Sequence, residues 1–175
     1  MSDLFERVTQ DQDIFKKLAS HIPGFSGYVE RQNRRAADKL LRETAADRFE
    51  ELWKRTSNLQ TDMVNQGLIA YLDDMEQAAL QMRTFIDKIR TASYGYSGFF
   101  DAIKINQQEL AQLYTFDAAF FDLAEQVGHA IDNVEASLGD EEALPASIRN
   151  LTTLARQATD TFNRRYEVIN GTESK

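Results

Sequence analysis

Apolar residues recur along most of this chain at alternating steps of three and four. Leu41, Ala45, Phe49, Leu52, Thr56, Leu59 and Met63 form one such stripe, with Trp53 beside it. Leu68, Leu72, Met75, Ala79, Met82, Ile86, Ile89 and Ser93 form a second. A third runs Leu110, Leu113, Asp117, Phe120, Ala124, Val127, Ile131, Val134 and Leu138. A fourth takes Ile148, Leu151, Ala155, Ala158, Phe162, Tyr166 and Ile169. Such steps place every member on one face of an α-helix, and sustained stripes are the seams along which helices pack side by side. No run alternates with period two, so no strand is predicted.

Glycine and proline divide the stripes. A short helix is predicted over Asp3–Ser20, its apolar face broken by TQDQD, and the turn HIPGFSG follows it. Proline disfavours helix in the residue before it, and glycine opens positive φ. The second helix starts near Gly27–Tyr28 and runs to a turn at Val64–Gly67. The third covers Leu68–Ala92. The fourth runs from Asn106, with Glu109 in capping-box spacing, to Leu138, where Gly139 ends it as a C′ residue. The fifth covers Ala146–Ile169, and GTESK reads as a disordered tail from 171 to 175. The predicted fold is all-α: one domain over 1–170, an elongated antiparallel bundle of four main helices with a short N-terminal packing helix.

Composition narrows the chemistry. The chain has 175 residues, 42% of them hydrophobic and none of them cysteine, so disulfides, thiolate metal sites and cysteine nucleophiles are excluded. The opening MSDLFERVTQDQD carries acids and no continuous apolar run, unlike a secretory signal. No stretch reaches the roughly 18 apolar residues of a spanning helix. A cytoplasmic location is the expectation.

The net charge is −8, unevenly spread. Glu30–Arg42 holds five bases and two acids, whereas Asp101–Glu142 holds ten acids and one base, Lys104. The acidity argues against nucleic-acid binding, which needs a basic surface. Arg31, Arg35, Lys39 and Arg42 share one helix face, with Arg34 at its edge. That face is a candidate for an anion, an acidic partner or a membrane surface. Acids four residues away, as in Asp38–Arg42 and Lys39–Glu43, equally suit a self-paired surface.

Two features carry candidate site residues. Asp117 occupies a seam position among apolar neighbours, where an unpartnered carboxylate is costly. Its candidate partners are Arg90, the hydroxyls of Tyr94 and Tyr96, and a basic residue of the second helix. The readings are a structural lock, an acid at the seam edge, or a ligand or catalytic carboxylate. The second feature, TASYGYSGFFD at Thr91–Asp101, is a glycine–aromatic corner that joins two seams. With Tyr114 it would line a pocket between the third and fourth helices.

Other chemistries find no support. Neither His21 nor His129 sits in the Glu-x-x-His pairs of a di-iron bundle. No metal-ligand, phosphate-loop or nucleophile-elbow motif occurs, and no cofactor is implied. Gly128 inside the fourth helix marks a bend or a close approach. The reading is a non-enzymatic protein acting through protein contacts or self-association. The alternative is a small-ligand or anion receptor around Asp117, with a bundle enzyme using Asp117 and a tyrosine a further one.

Overall fold

The stripe from Leu41 to Met63 lies on a helix of 32 residues, about 48 Å long at the usual rise. In the computed structural model, which describes the backbone of residues 2–30, 34–92 and 107–173 and the side chains of 12–27, 36–92 and 112–168, that helix is one of six α-helices among the described residues. They are α1 (Ser2–His21), α2 (Phe25–Glu30), α3 (Arg34–Asn65), α4 (Leu72–Thr91), α5 (Gln107–Ala136) and α6 (Ala143–Glu173). Among the described residues there is no strand, and the fold is all-α.

The periodic reading places the core well. All seven residues of the first stripe are buried, with Thr56 satisfied by donating to the Leu52 carbonyl oxygen. Met75, Ala79, Met82, Ile86 and Ile89 are buried on α4, and Leu113, Asp117, Phe120, Val127, Ile131 and Val134 on α5. On α6 the stripe holds from Ile148 to Phe162 and then departs from the prediction. Tyr166 is 43% exposed, and Arg165 points inward instead.

The α3–α4 turn is a Schellman motif. Gly67 has φ of 76°, its N–H donates to the Val64 carbonyl, and the Leu68 N–H reaches back to Met63. A 3₁₀ turn, Ile69–Tyr71, precedes α4. Of the HIPGFSG segment only residues 22–24 turn, with Gly24 at φ of 83°, since His21 ends α1 and residues 25–27 already belong to α2.

Several boundaries move. Gly27, near the expected start of the second helix, lies inside α2, which begins at Phe25, and α3 is described from Arg34. Gly139 is not in the left-handed region, and α5 ends by tightening, with Leu138 N–H donating to Glu135 O and Ser137 Oγ to Asn133 O. The N-terminal turn of α6 opens at Ala143, before Pro145, since the first donors of a helix lack internal partners in any case. Asp140 Oδ1 accepts from the N–H groups of Glu142 and Ala143 and caps it. Helix α6 continues through Gly171 to Glu173, past its predicted end.

Cross-helix pairs set the directions. Gln60–Glu76 and Asp47–Arg90 show that α3 and α4 run antiparallel, and Ser137–Ser147 and Asp117–Arg165 show the same for α5 and α6. Arg55–Asp132 and Lys88–Asn163 set the two hairpins side by side, with α3 parallel to α5 and α4 parallel to α6. Helix α6 packs broadly on both α4 and α5, whereas α4 and α5 occupy opposite corners and hardly touch along their length. Across the middle, Phe85 meets Phe49 at 4.4 Å between ring centroids and Phe120 at 5.2 Å. Helix α1 lies on α5 and α2 on α3, and Leu18, Ile22 and Phe25 close the core beneath them.

Candidate functional site

Four charged side chains are buried together at the end of the bundle where α3 and α5 begin. They are Asp38 and Arg42 of α3, Asp117 of α5 and Arg165 of α6. Arg165 Nε donates to Asp117 Oδ1 at 2.6 Å, and Nη2 donates to Asp38 Oδ1 at 2.6 Å. The second oxygen of Asp38 accepts from Arg42 Nε at 2.8 Å. Arg42 Nη1 then reaches the backbone carbonyl of Ile89 in the last turn of α4, at 3.3 Å. A helix leaves its final carbonyls without internal partners and gathers negative potential there, so a cation suits the position. Two acids and two bases thus join all four long helices.

Burial is the main influence on Asp117 and pushes its carboxyl up to about 6, against the opposing attraction and hydrogen bond of Arg165. Removing a charge from water costs several kcal/mol, and good geometry offsets that cost without exceeding it by much. Such a network is therefore weak ground for added stability, and its links between helices suit a role in fixing which helices meet. That is the structural-lock reading of Asp117.

Arg165 is not among the partners that the sequence suggests for Asp117, although the seam carries a signal. The steps of α6 from Ile148 through Leu151, Ala155, Ala158 and Phe162 continue by three to Arg165. Apolar character favoured Tyr166, one residue out of phase. Asp38 likewise extends the α3 stripe by three residues before Leu41.

The other candidates are dispersed. Arg90 does not reach Asp117. Its Nη2 binds Asp47 Oδ1 at 2.9 Å and Glu50 Oε2 at 2.5 Å on the surface. The hydrogen bond with Arg90 holds the Glu50 carboxyl below its ordinary value, and the Arg90 guanidinium is held above its own chiefly by the bond with Glu50. Tyr114 is half-buried and meets Phe25 edge-on at 5.9 Å. Tyr94 and Tyr96, with the rest of the glycine–aromatic corner from 93 to 101, lie outside the described residues.

The basic face is also altered. Arg42 is buried in the network rather than displayed, while Lys39 is exposed and lies 3.9 Å from Glu43. The side chains of Arg31, Arg34 and Arg35 lie outside the described residues. Lys39, Arg42, Glu43 and Arg90 do line a cleft of about 270 Å³. Its arginines already serve Asp38, Asp47, Glu50 and the α4 C-terminus, which gives an added anion little to gain.

A second cleft, of about 370 Å³, opens between α3 and α5 where α1 ends. His21 stacks flat on Phe121 at 5.0 Å, and Leu52 and Ala124 line the cleft together with Arg48, Glu51, Arg55 and Glu125. Gly128 lies beside it. A Cβ there would meet Leu52 at 3.6 Å and Arg55 at 3.8 Å, so no forced close approach explains the glycine. Neither cleft is lined by Asp117.

Among the described residues no three His, Asp or Glu side chains are placed to hold a metal ion. His129 is exposed, 3.9 Å from Glu125 and 4.0 Å from Asp132. No described helix is long and apolar enough to cross a membrane. The chain matches no protein family, no curated protein and no solved structure, so its site is read from its own residues alone.

Proposed function

We propose that this chain is a non-enzymatic, cytoplasmic assembly protein that acts through contacts with other proteins. One observation carries the reading. Asp117, the core carboxylate best suited to hold a ligand or move a proton, is engaged by Arg165 within a network of balanced charge. The polar chemistry of the core then serves to fix the helices, and function falls to the polarised surface. A rigid helical scaffold with acids concentrated on one part of the chain and bases on another suits selective docking, since charge complementarity sets encounter rate and partner choice.

The receptor alternative has less behind it. Its pocket would lie between α4 and α5, which stand at opposite corners of the bundle, and Arg90 is committed elsewhere.

Multi-angle light scattering with native mass spectrometry tests the reading. A species heavier than the 20.0 kDa chain, or a co-purified protein, is the expected result. A lone 20.0 kDa species at every concentration counts against it, and a co-purified small molecule would favour the receptor.

A further inference from the structure

Four large apolar side chains are notably exposed among the described residues, and the two most exposed belong to the same turn. Val64 is 51% exposed in the last turn of α3, and Ile69 is 65% exposed just beyond Gly67. The Schellman bonds fix the backbone between them, and Leu68 turns inward to pack on the core while Ile69 faces solvent. The turn therefore presents a preformed apolar knob.

Its surroundings are acidic. The hairpins run side by side, so the α5–α6 loop lies at the same end of the bundle as the α3–α4 turn. Asp73, Asp74, Glu141 and Glu142 are exposed at this end. No lysine or arginine occurs between Arg55 and Arg83, or between Lys104 and Arg149. The nearest bases are Arg149, in the second turn of α6, and Lys54 and Arg55, about three turns back along α3.

From this we infer that the α3–α4 tip is a docking surface for a lysine- or arginine-rich amphipathic segment of a partner protein. The inference rests on the protein-contact reading and names its partner class. Apolar contact with Val64 and Ile69 supplies affinity, in proportion to the area removed from water. The acids select the sign of the partner. They repel nucleic acid and anionic membranes, and they attract a cationic segment at long range. Because hydrogen bonds already hold the turn and Asp140 already caps α6, little ordering cost attends binding. A metal ion is a poor occupant, since the described acids do not converge.

A synthetic amphipathic Leu/Lys helical peptide serves as the probe, with its Leu/Glu counterpart as control. The expected result is salt-sensitive binding of the Leu/Lys peptide alone, with amide shifts confined to residues 62–76 and 137–144. The doubly substituted Val64→Ser/Ile69→Ser protein, whose changes are exposed and spare the fold, is expected to bind at least about tenfold more weakly. Absent binding, binding unchanged in that variant, or shifts elsewhere would overturn the inference. So would self-association abolished by the same substitutions, because the occupant would then be a second copy. If light scattering finds a heavier complex that the double variant leaves intact, the protein-contact reading stands and this site falls.

Discussion

Arg165 Nε lies 2.6 Å from Asp117 Oδ1, and both side chains are only 2% exposed. The same guanidinium binds Asp38 on α3, which makes Arg165 the side chain that connects opposite corners of the bundle. Removing it would leave buried Asp117 without the cation that hydrogen-bonds it, and Asp38 with Arg42 alone. Arg165→Met is expected to destabilise the protein by about 3–5 kcal/mol, and Asp117→Asn by clearly less. Urea unfolding of the two variants checks the order. Equal losses would mean that Asp38 draws little from Arg165.

The pH dependence follows from the same pair. In the unfolded chain Asp117 titrates near its ordinary 3.8, and in the folded protein near 6. Between these values the folded state holds a proton that the unfolded state has released. Its contribution is complete below about pH 3.8 and is lost as pH rises through about 6. The lost contribution is on the order of 3 kcal/mol. Stability of wild type relative to Asp117→Asn is therefore expected to decline between pH 4 and pH 6, measured by denaturant titration at each pH. A difference that stays flat, or rises, contradicts this assignment.

Two glycines are expected to respond in opposite ways. Gly67 sits at φ of 76°, so Gly67→Ala should cost about 1–2 kcal/mol although its Cβ would meet open space. Gly128 is helical, and an added methyl finds only ordinary contacts at 3.6 and 3.8 Å. Gly128→Ala should stabilise by up to about 1 kcal/mol through helix propensity. Thermal melts of the two variants should move in opposite directions.

Phe85 is the middle ring of the cluster that spans the bundle, and it is fully buried. Phe85→Ala is expected to cost about 3–5 kcal/mol, while Phe85→Leu keeps most of the volume and costs less. By contrast, Lys17 and Asp122, which pin α1 to α5 at 2.6 Å, are both well exposed. Lys17→Met should cost no more than about 1 kcal/mol, less at high salt. Denaturation at two ionic strengths separates the two cases.

What could be read in advance was local. The three- and four-residue steps announced the long helices and their inward faces, because amphipathic spacing is a property of one helix considered alone. The turn at Gly67 was legible for the same reason, since its backbone needs a residue tolerant of positive φ. Asp117 could be recognised as a buried carboxylate in want of a partner. Its partner could not. An apolar stripe says that a face is covered, but not which helix covers it or at what level. Only the packing sets α4 beside α6 and opposite α5, and so brings Arg165 rather than Arg90 to Asp117. The charges of the network lie up to 127 residues apart in the chain, and their meeting depends on all four helices being in place at once.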